Sequence, residues 1–312
     1  MQHHELSSMN YKPTLVVIAG PTAIGKTAAA IQLAQYFNTV IVSADSRQFF
    51  REMAIGTAKP TPDELAAAKH YFVDSHSVTE PFSVGDFEKQ GLELFDELFK
   101  THKVIILVGG SGLYIKAITD GFDNIPNADE GIREKLNKEL EDKGISYLQE
   151  KLKLADHAYY TQVDINNPQR VIRALEVFES TGQPFSSFRK ADANIRPFNI
   201  IKIALDMPRE RLYDRINNRV DIMMQQGLLD EVKSLMPYRH LNALNTVGYT
   251  ELFDYLDGKI TLNEAVEKIK QNTRHFAKRQ LTWFRKDKSF HWLQADENLY
   301  KNLLDLLKKQ LL

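Results

Sequence analysis

Gly20-Pro21-Thr22-Ala23-Ile24-Gly25-Lys26-Thr27 follows directly on the apolar run Leu15-Val16-Val17-Ile18-Ala19. The octapeptide matches G-x-x-x-x-G-K-[ST], and its setting is the one that pattern requires: a strand before it and a helix, Thr27-Ala28-Ala29-Ala30-Ile31-Gln32-Leu33-Ala34, after it. Glycines at 20 and 25 let the backbone curl so that successive N–H groups point at one anion. The helix N-terminus adds positive potential. Lys26 supplies a point charge, and the Thr27 hydroxyl suits Mg²⁺. Gly20, Pro21, Thr22, Ala23, Ile24, Gly25, Lys26 and Thr27 are therefore candidate ligands for a di- or triphosphate. The loop alone does not say what happens to those phosphates.

Working outward, strand-like runs recur at Leu15–Ala19, Val40–Ala44, Val104–Val108 and Ile200–Asp206, with helical stretches between them. That alternation predicts an α/β fold, a parallel sheet flanked by helices. In such sheets ligands bind beyond the carboxyl ends of the strands. The second run ends in Ser43-Ala44-Asp45-Ser46-Arg47-Gln48 and the third in Gly109-Gly110-Ser111-Gly112-Leu113-Tyr114. Both are expected to face the crevice that holds the phosphate loop. From Asp123 the texture becomes charged and helical, with short helices predicted at Gly131–Lys143 and Ile145–Leu154. The expected organisation is a tail at 1–11, a core at 12–122 and 197–312, and a helical insertion at 123–196. A long helix is expected over Pro208–Met236 with a break near Gly227. A final helix is expected from Leu262 to Arg285, then a last strand at Phe290–Leu293.

The chain has 312 residues, 43% hydrophobic and 26% charged, which is ordinary for a globular protein. A net charge of −1 requires any nucleic-acid surface to be local. There is no cysteine, which excludes disulfides, thiolate zinc sites and cysteine nucleophiles. The first residues carry no apolar signal region, and no apolar stretch reaches the length of a membrane span. A cytoplasmic enzyme without a membrane partner is expected.

Asp45 is the most informative acid. At the end of an apolar strand beside the phosphate loop, it suits a general base or a metal ligand, and equally a helix N-cap. The third strand ends in glycines and Ser111 with no carboxylate, which weakens a motor or ATPase reading and suggests close backbone approach to a ligand. Arg211, Arg215 and Arg219 form one helical row. They would serve either a leaving diphosphate or ion pairs with Glu210 and Asp214. Asn167-Pro168-Gln169-Arg170-Val171-Ile172-Arg173 opens a helix with Asn as N-cap and Pro at N1. On it Arg173 could bind a ligand or pair with Glu176. Lys270, Arg274, Lys278 and Arg285 fall within about 80° of one another on the last helix, beside a packing stripe that includes Phe276, Gln280 and Trp283. Such a positive stripe suits a polyanion.

These segments, together with Ile55-Gly56-Thr57-Ala58-Lys59-Pro60, Val247-Gly248-Tyr249 and Lys278-Arg279-Gln280-Leu281-Thr282-Trp283, resemble the tRNA dimethylallyltransferase (tRNA isopentenyltransferase) family in its bacterial form. The match runs in the family's order from Lys12 to Leu293. The resemblance implies a P-loop NTPase-like core with a helical insertion domain. It implies transfer of a dimethylallyl group from dimethylallyl diphosphate to N6 of adenosine 37, beside the anticodon, in tRNAs whose stem-loop carries A36-A37-A38. Mg²⁺ would be held at Thr27, and a monomer is expected. On the same basis Asp45, Ser111, Lys26 and Arg219 would be catalytic, and Arg215 would join the loop in binding diphosphate. Asp45, Ser46, Arg47, Gln48, Ser111, Arg133, Gln169, Arg170, Val171, Ile172, Arg173, Arg274, Lys278, Arg279 and Gln280 would contact tRNA. The chain departs from the family in having Ser111 where Thr is common and Phe50 where Tyr is frequent. It also lacks the cysteines of the eukaryotic zinc-finger extension. The alternative is a small-molecule phosphotransferase resembling a nucleotide kinase; a non-catalytic RNA-binding switch is disfavoured by Asp45 and Ser111 facing one crevice.

Overall fold

The computed structural model describes residues 12–123, 125–126, 130–189 and 195–311; the expected tail at 1–11 lies outside them. Six strands form one parallel sheet: β1 Thr14–Ala19, β2 Ile41–Ser43, β3 His70–Tyr71, β4 Val104–Gly109, β5 Asn199–Asp206 and β6 His291–Gln294. Their order is β3-β2-β4-β1-β5-β6. In register, Ala19 lies beside Gly109 of β4 on one side and Ala204 of β5 on the other, so β1 is central and its carboxyl end opens between two neighbours. The helices are α1 Lys26–Phe37, α2 Pro62–Ala67, α3 Val84–Leu98, α4 Gly112–Thr119, α5 Glu130–Ala155, α6 His157–Tyr160, α7 Pro168–Thr181, α8 Arg209–Gln225, α9 Leu228–Ser234, α10 Tyr249–Leu256, α11 Leu262–Phe284 and α12 Leu299–Leu311.

β1 and β4 are buried along their whole lengths, as the interior strands of a parallel sheet must be. Alternation sends Val16, Ile18, Ile106 and Val108 towards α1, α8 and α12, and Leu15, Val17, Ile105 and Leu107 towards α3 and α4. A third core lies beyond the sheet, where Val220, Leu228, Val232, Leu252, Phe253 and Ile269 knit α8 to α11 together with Phe49 and Met53.

The chain divides into two compact units, one running to Thr119 and resuming at Arg196, the other covering Asp120–Ile195. In the second, Leu136, Leu148, Leu152, Val171, Ile172, Leu175 and Val177 form a helical core of their own. Its long helix α5 is broken at Gly144, whose φ of 76° leaves the helical region, giving the two short helices expected there. Gly227, at φ 99°, likewise separates α8 from α9. The sequence reading missed β3, a two-residue strand too short for any periodicity, and α12, whose buried Leu303, Leu307 and Leu311 recur every fourth residue.

Candidate active site

The phosphate loop takes the backbone course its glycines allow. Gly20 has φ 149°, and Gly25, the N-cap of α1, has φ 106°. Ala23 also has a positive φ of 63°, an uncommon state for a residue with a Cβ, held by bonds on both sides. The Ala23 carbonyl accepts from Arg215 Nε at 2.7 Å, and the neighbouring Thr22 N–H donates to Gln280 Oε1 at 2.9 Å. Lys26 Nζ donates to the Pro21 carbonyl at 2.8 Å, curled back over its own loop.

Gln280 is therefore a strut and not a surface contact. It is 7% exposed, and its Nε2 donates to the Gly110 carbonyl at 2.9 Å while its Oε1 holds Thr22. Both ends of its amide tie the phosphate loop to the β4–α4 turn. The glycines of that turn have the same cause. A Cβ at Gly110 would lie 2.3 Å from Gln280 Nε2, at Gly112 2.2 Å from the Trp283 ring, and at Gly109 2.2 Å from the Ala44 carbonyl. Within the chain they admit α11 and the end of β2. Gln280→Leu should cost about 1–3 kcal/mol in chemical denaturation, because it strands a buried carbonyl and a loop N–H.

Asp45, at the end of β2, accepts the Arg47 N–H on Oδ1 at 3.0 Å. Ser111 Oγ accepts the Ser46 N–H at 2.9 Å, which leaves its own proton for another acceptor. Both line one cavity of about 250 Å³ together with Thr22, Arg47, Arg219 and the 56–58 loop. The opposite wall is apolar: Ile216, Val220 and Met223 of α8, Leu228 of α9, and Ile269 and Phe276 of α11. The sequence reading had placed Phe276 in a packing stripe; nothing in the local pattern marked Met223.

The cavity is short of negative charge. Burial lowers the pKa of Lys26 to about 8, with Asp45 raising and Arg219 lowering it further. Burial likewise holds the Arg219 and Arg47 guanidiniums below their ordinary values, Asp45 opposing the shift in each. Asp45 acts on all three cations, with Glu64 also acting on Arg219 and Tyr114 on Arg47, and an incoming polyanion would relieve the remaining excess of positive charge. Arg219 Nη2 donates to the Ala58 carbonyl at 3.3 Å. Arg211, the third of the row, is exposed.

The 54–58 loop is positioned from behind. Glu231 of α9 accepts the N–H groups of Ala54, Ile55 and Gly56 at 2.9, 2.7 and 3.0 Å, and the Tyr249 hydroxyl at 2.7 Å. Gly56 lies against the Tyr249 ring, where a Cβ would come within 2.6 Å. Burial raises the Tyr249 pKa, Glu231 adding to it, so the phenol stays a donor. Gln48 belongs to the same scaffold: it takes Ser43 Oγ on Oε1 and donates to the Thr57 and Ala58 carbonyls. It thereby supports the 56–58 loop from within the chain. Glu231→Ala should lower stability by about 2–4 kcal/mol, read by chemical denaturation, since three N–H groups lose one acceptor.

The remaining expected contacts belong to the second unit and to α11. In the second unit Val171 and Ile172 are 0% and 1% exposed, so their side chains belong to that unit's core. Asn167 caps α7 with Pro168 at its first position, as its sequence implied. Arg133 and Arg173 both pair with buried Glu176, while Gln169 and Arg170 are exposed. On α11 the positive stripe is partly neutralised: Lys270 pairs with Asp221 and Glu267, Arg285 with Asp206, and Arg274 bonds Asn217 Oδ1 at 2.6 Å. Lys278 and Arg279 are exposed, Arg279 lying over the Phe276 ring.

Among the described residues no group of three or more His, Cys, Asp or Glu side chains could cage a metal. No helix among them is long and apolar enough to cross a membrane.

The sequence signature of the family described as IPP transferase matches residues 48–287. A relative in Christiangramia forsetii named tRNA dimethylallyltransferase is 54% identical over 297 residues, 95% of this chain and 98% of that protein. Another in Bacteroides thetaiotaomicron, tRNA dimethylallyltransferase 1, is 48% identical and covers 96% of each chain. The solved tRNA isopentenylpyrophosphate transferase of Bacillus halodurans superposes with a TM-score of 0.72 at 38% identity, over 96% of this chain and 97% of that one. A eukaryotic dimethylallyltransferase acting on tRNA shares the fold, with a TM-score of 0.80 at 24% identity over 96% and 79% of the two chains. With a signature spanning most of its length and relatives this close over nearly all of it, the chain belongs to the IPP transferase family.

Proposed function

We propose that this protein transfers a dimethylallyl group from dimethylallyl diphosphate to N6 of adenosine 37 in tRNAs carrying A36-A37-A38. The observation that carries the reading is the cavity in which Asp45 stands between crowded cations and an apolar wall. Such a site suits an allylic diphosphate, whose five-carbon tail meets Ile216, Val220 and Met223 while its charge meets the phosphate loop.

An exocyclic adenine amine is a weak nucleophile because its lone pair is delocalised into the ring. Asp45 takes its proton as the new N–C bond forms. Carbon is the electrophile, and the C–O bond to diphosphate breaks. The loop N–H groups, Lys26 and Arg219 stabilise the charge that accumulates on the leaving oxygen. Arg215 keeps the loop in shape through the Ala23 carbonyl. Ser111 offers its proton to hold the reacting centre. The adenine must leave the base stack to reach Asp45.

Mg²⁺ fits this donor set. Thr27, in the first turn of α1, would be the protein ligand, and Mg²⁺ is commonly held by one or two protein oxygens plus phosphate oxygens and water. When bound, the ion would neutralise charge on the diphosphate.

The test is one incubation of the protein with Mg²⁺, dimethylallyl diphosphate and unmodified tRNA bearing A36-A37-A38, followed by digestion and mass analysis of the nucleosides. Isopentenyladenosine is expected. Its absence overturns the reading, and ATP-dependent phosphorylation of a small nucleotide would replace it with a phosphotransferase.

A further inference from the structure

Glu231 of α9 does not line the cavity around Asp45, yet it holds one of its walls. Its Oε2 accepts the Ala54 and Ile55 N–H groups at 2.9 and 2.7 Å, and its Oε1 accepts the Gly56 N–H at 3.0 Å. The Tyr249 hydroxyl donates to Oε1 at 2.7 Å from a completely buried side chain. One carboxylate thus gathers four donors. Three of them are consecutive in a turn whose continuation, Gly56-Thr57-Ala58, faces the cavity.

The turn passes this hold onward. The Ala58 N–H donates to the Ile55 carbonyl at 2.9 Å and the Lys59 N–H to the Ala54 carbonyl at 3.3 Å, which ties the anchored end to the far end. Ala58 has φ 48°, in the left-handed region, which a residue with a Cβ keeps only where its surroundings over-determine it. Its carbonyl accepts twice, from Gln48 Nε2 at 3.2 Å and from Arg219 Nη2 at 3.3 Å. Gln48 in turn takes Ser43 Oγ at 3.1 Å, two residues before Asp45. The Ala58 carbonyl is therefore the point where the cation of α8 meets the end of β2. Among the described residues it is the one hydrogen-bond partner of the Arg219 guanidinium, and no carboxylate lies within ion-pair distance of that group. A long side chain with a single anchor is placed only as well as the anchor is.

We infer that Glu231 is a positioning residue for Arg219. It fixes the 54–58 turn, the turn fixes the Ala58 carbonyl, and the carbonyl fixes the guanidinium in the cavity wall. The service of Arg219 to a leaving diphosphate rests on the function proposed above; its dependence on Glu231 does not. Glu231→Gln keeps the size of the side chain but offers one acceptor oxygen in place of two, so the three turn N–H groups can no longer all be taken. Tyr249→Phe removes only the fourth donor and leaves the ring against Gly56.

The experiment is a double-mutant cycle between positions 231 and 219, with inorganic diphosphate as the probe. Wild type, Glu231→Gln, Arg219→Ala and the double variant are titrated calorimetrically, each with its thermal midpoint recorded. Arg219→Ala should weaken diphosphate by about 10-fold or more, the worth of a charged hydrogen-bonding partner. Glu231→Gln should weaken it by about 3–10-fold with Arg219 present and by less than about twofold with Arg219 absent, since members of one network do not act additively. Equal losses in both backgrounds overturn the inference, because a merely structural glutamate lowers the midpoint whatever stands at 219. So does the absence of a loss from either single substitution, or of diphosphate binding in wild type. If Glu231→Gln does not fold, Tyr249→Phe takes its place in the same cycle, with a smaller loss that again vanishes without Arg219; an additive result there overturns the inference. A coupled cycle in a protein that forms no isopentenyladenosine would refute the proposed reaction and leave the positioning of Arg219 standing.

Discussion

Asp45→Asn is expected to lower turnover by about 10²–10⁴-fold, the usual worth of a positioned general base. The substitution is nearly isosteric. The asparagine oxygen can still accept the Arg47 N–H that Asp45 Oδ1 now takes at 3.0 Å, so the β2–loop junction should keep its shape. Affinity for the anticodon stem-loop should stay within about twofold, because phosphate contacts dominate RNA affinity and a carboxylate makes none. Single-turnover kinetics at saturating RNA separate the two effects. A rate near that of wild type would mean that another group accepts the amine proton. One side effect checks the electrostatics: Asp45 raises the Lys26 pKa, so its loss should move the alkaline limb of the pH profile below about 8.

Lys26→Ala should lower kcat/KM for the allylic diphosphate by about 10²–10³-fold, comparable with removing one donor from an oxyanion site. The pH dependence gives the sharper test. In the free enzyme Lys26 titrates near 8 because burial disfavours its charge. Only the protonated amine attracts diphosphate, so kcat/KM should fall as pH rises through about 8. A bound diphosphate favours the charged amine, so the corresponding limb in kcat should lie at higher pH. Lys26→Arg, always charged, should lose the limb near 8 even if its overall rate is lower. The same group sets a stability trend of known sign. Between about 8 and the ordinary lysine value of 10.5 the unfolded chain binds a proton that the folded chain does not. The stability of the free protein should therefore gain from this group as pH rises through that window, and lose by it below.

The phosphate loop, Asp45, Ser111 and the central strands were legible in the sequence because each depends on local order. A run of apolar residues must be an interior strand, a glycine at each bend must permit the curl, and a carboxylate at a strand's end must face the crevice. Caps and breaks were legible for the same reason, as Asn167-Pro168, Gly144 and Gly227 show. Gln280 was not. Within its helix it looks like any polar residue beside a basic stripe, and its partners Thr22 and Gly110 are 258 and 170 residues away. Gly109, Gly110 and Gly112 suggested a ligand because only glycine permits so close an approach; which group approaches was fixed by the packing of β2 and α11. The α11 stripe misled in a similar way, since Asp206 and Asp221, which neutralise two of its cations, come from other elements.

The amino-acid order thus determined the groups on offer at each strand's end: a phosphate-loop turn, a carboxylate and a hydroxyl, each specified by residues a few positions apart. How these converge was settled by folding, through contacts between segments that are distant in the chain. Glu231 and Tyr249 fix the 54–58 loop, Gln280 fixes the phosphate loop, and α8 and α11 close the apolar wall. Burial then lowered the Lys26 pKa to about 8, a property no octapeptide has in water, because it arises from desolvation by the surrounding protein.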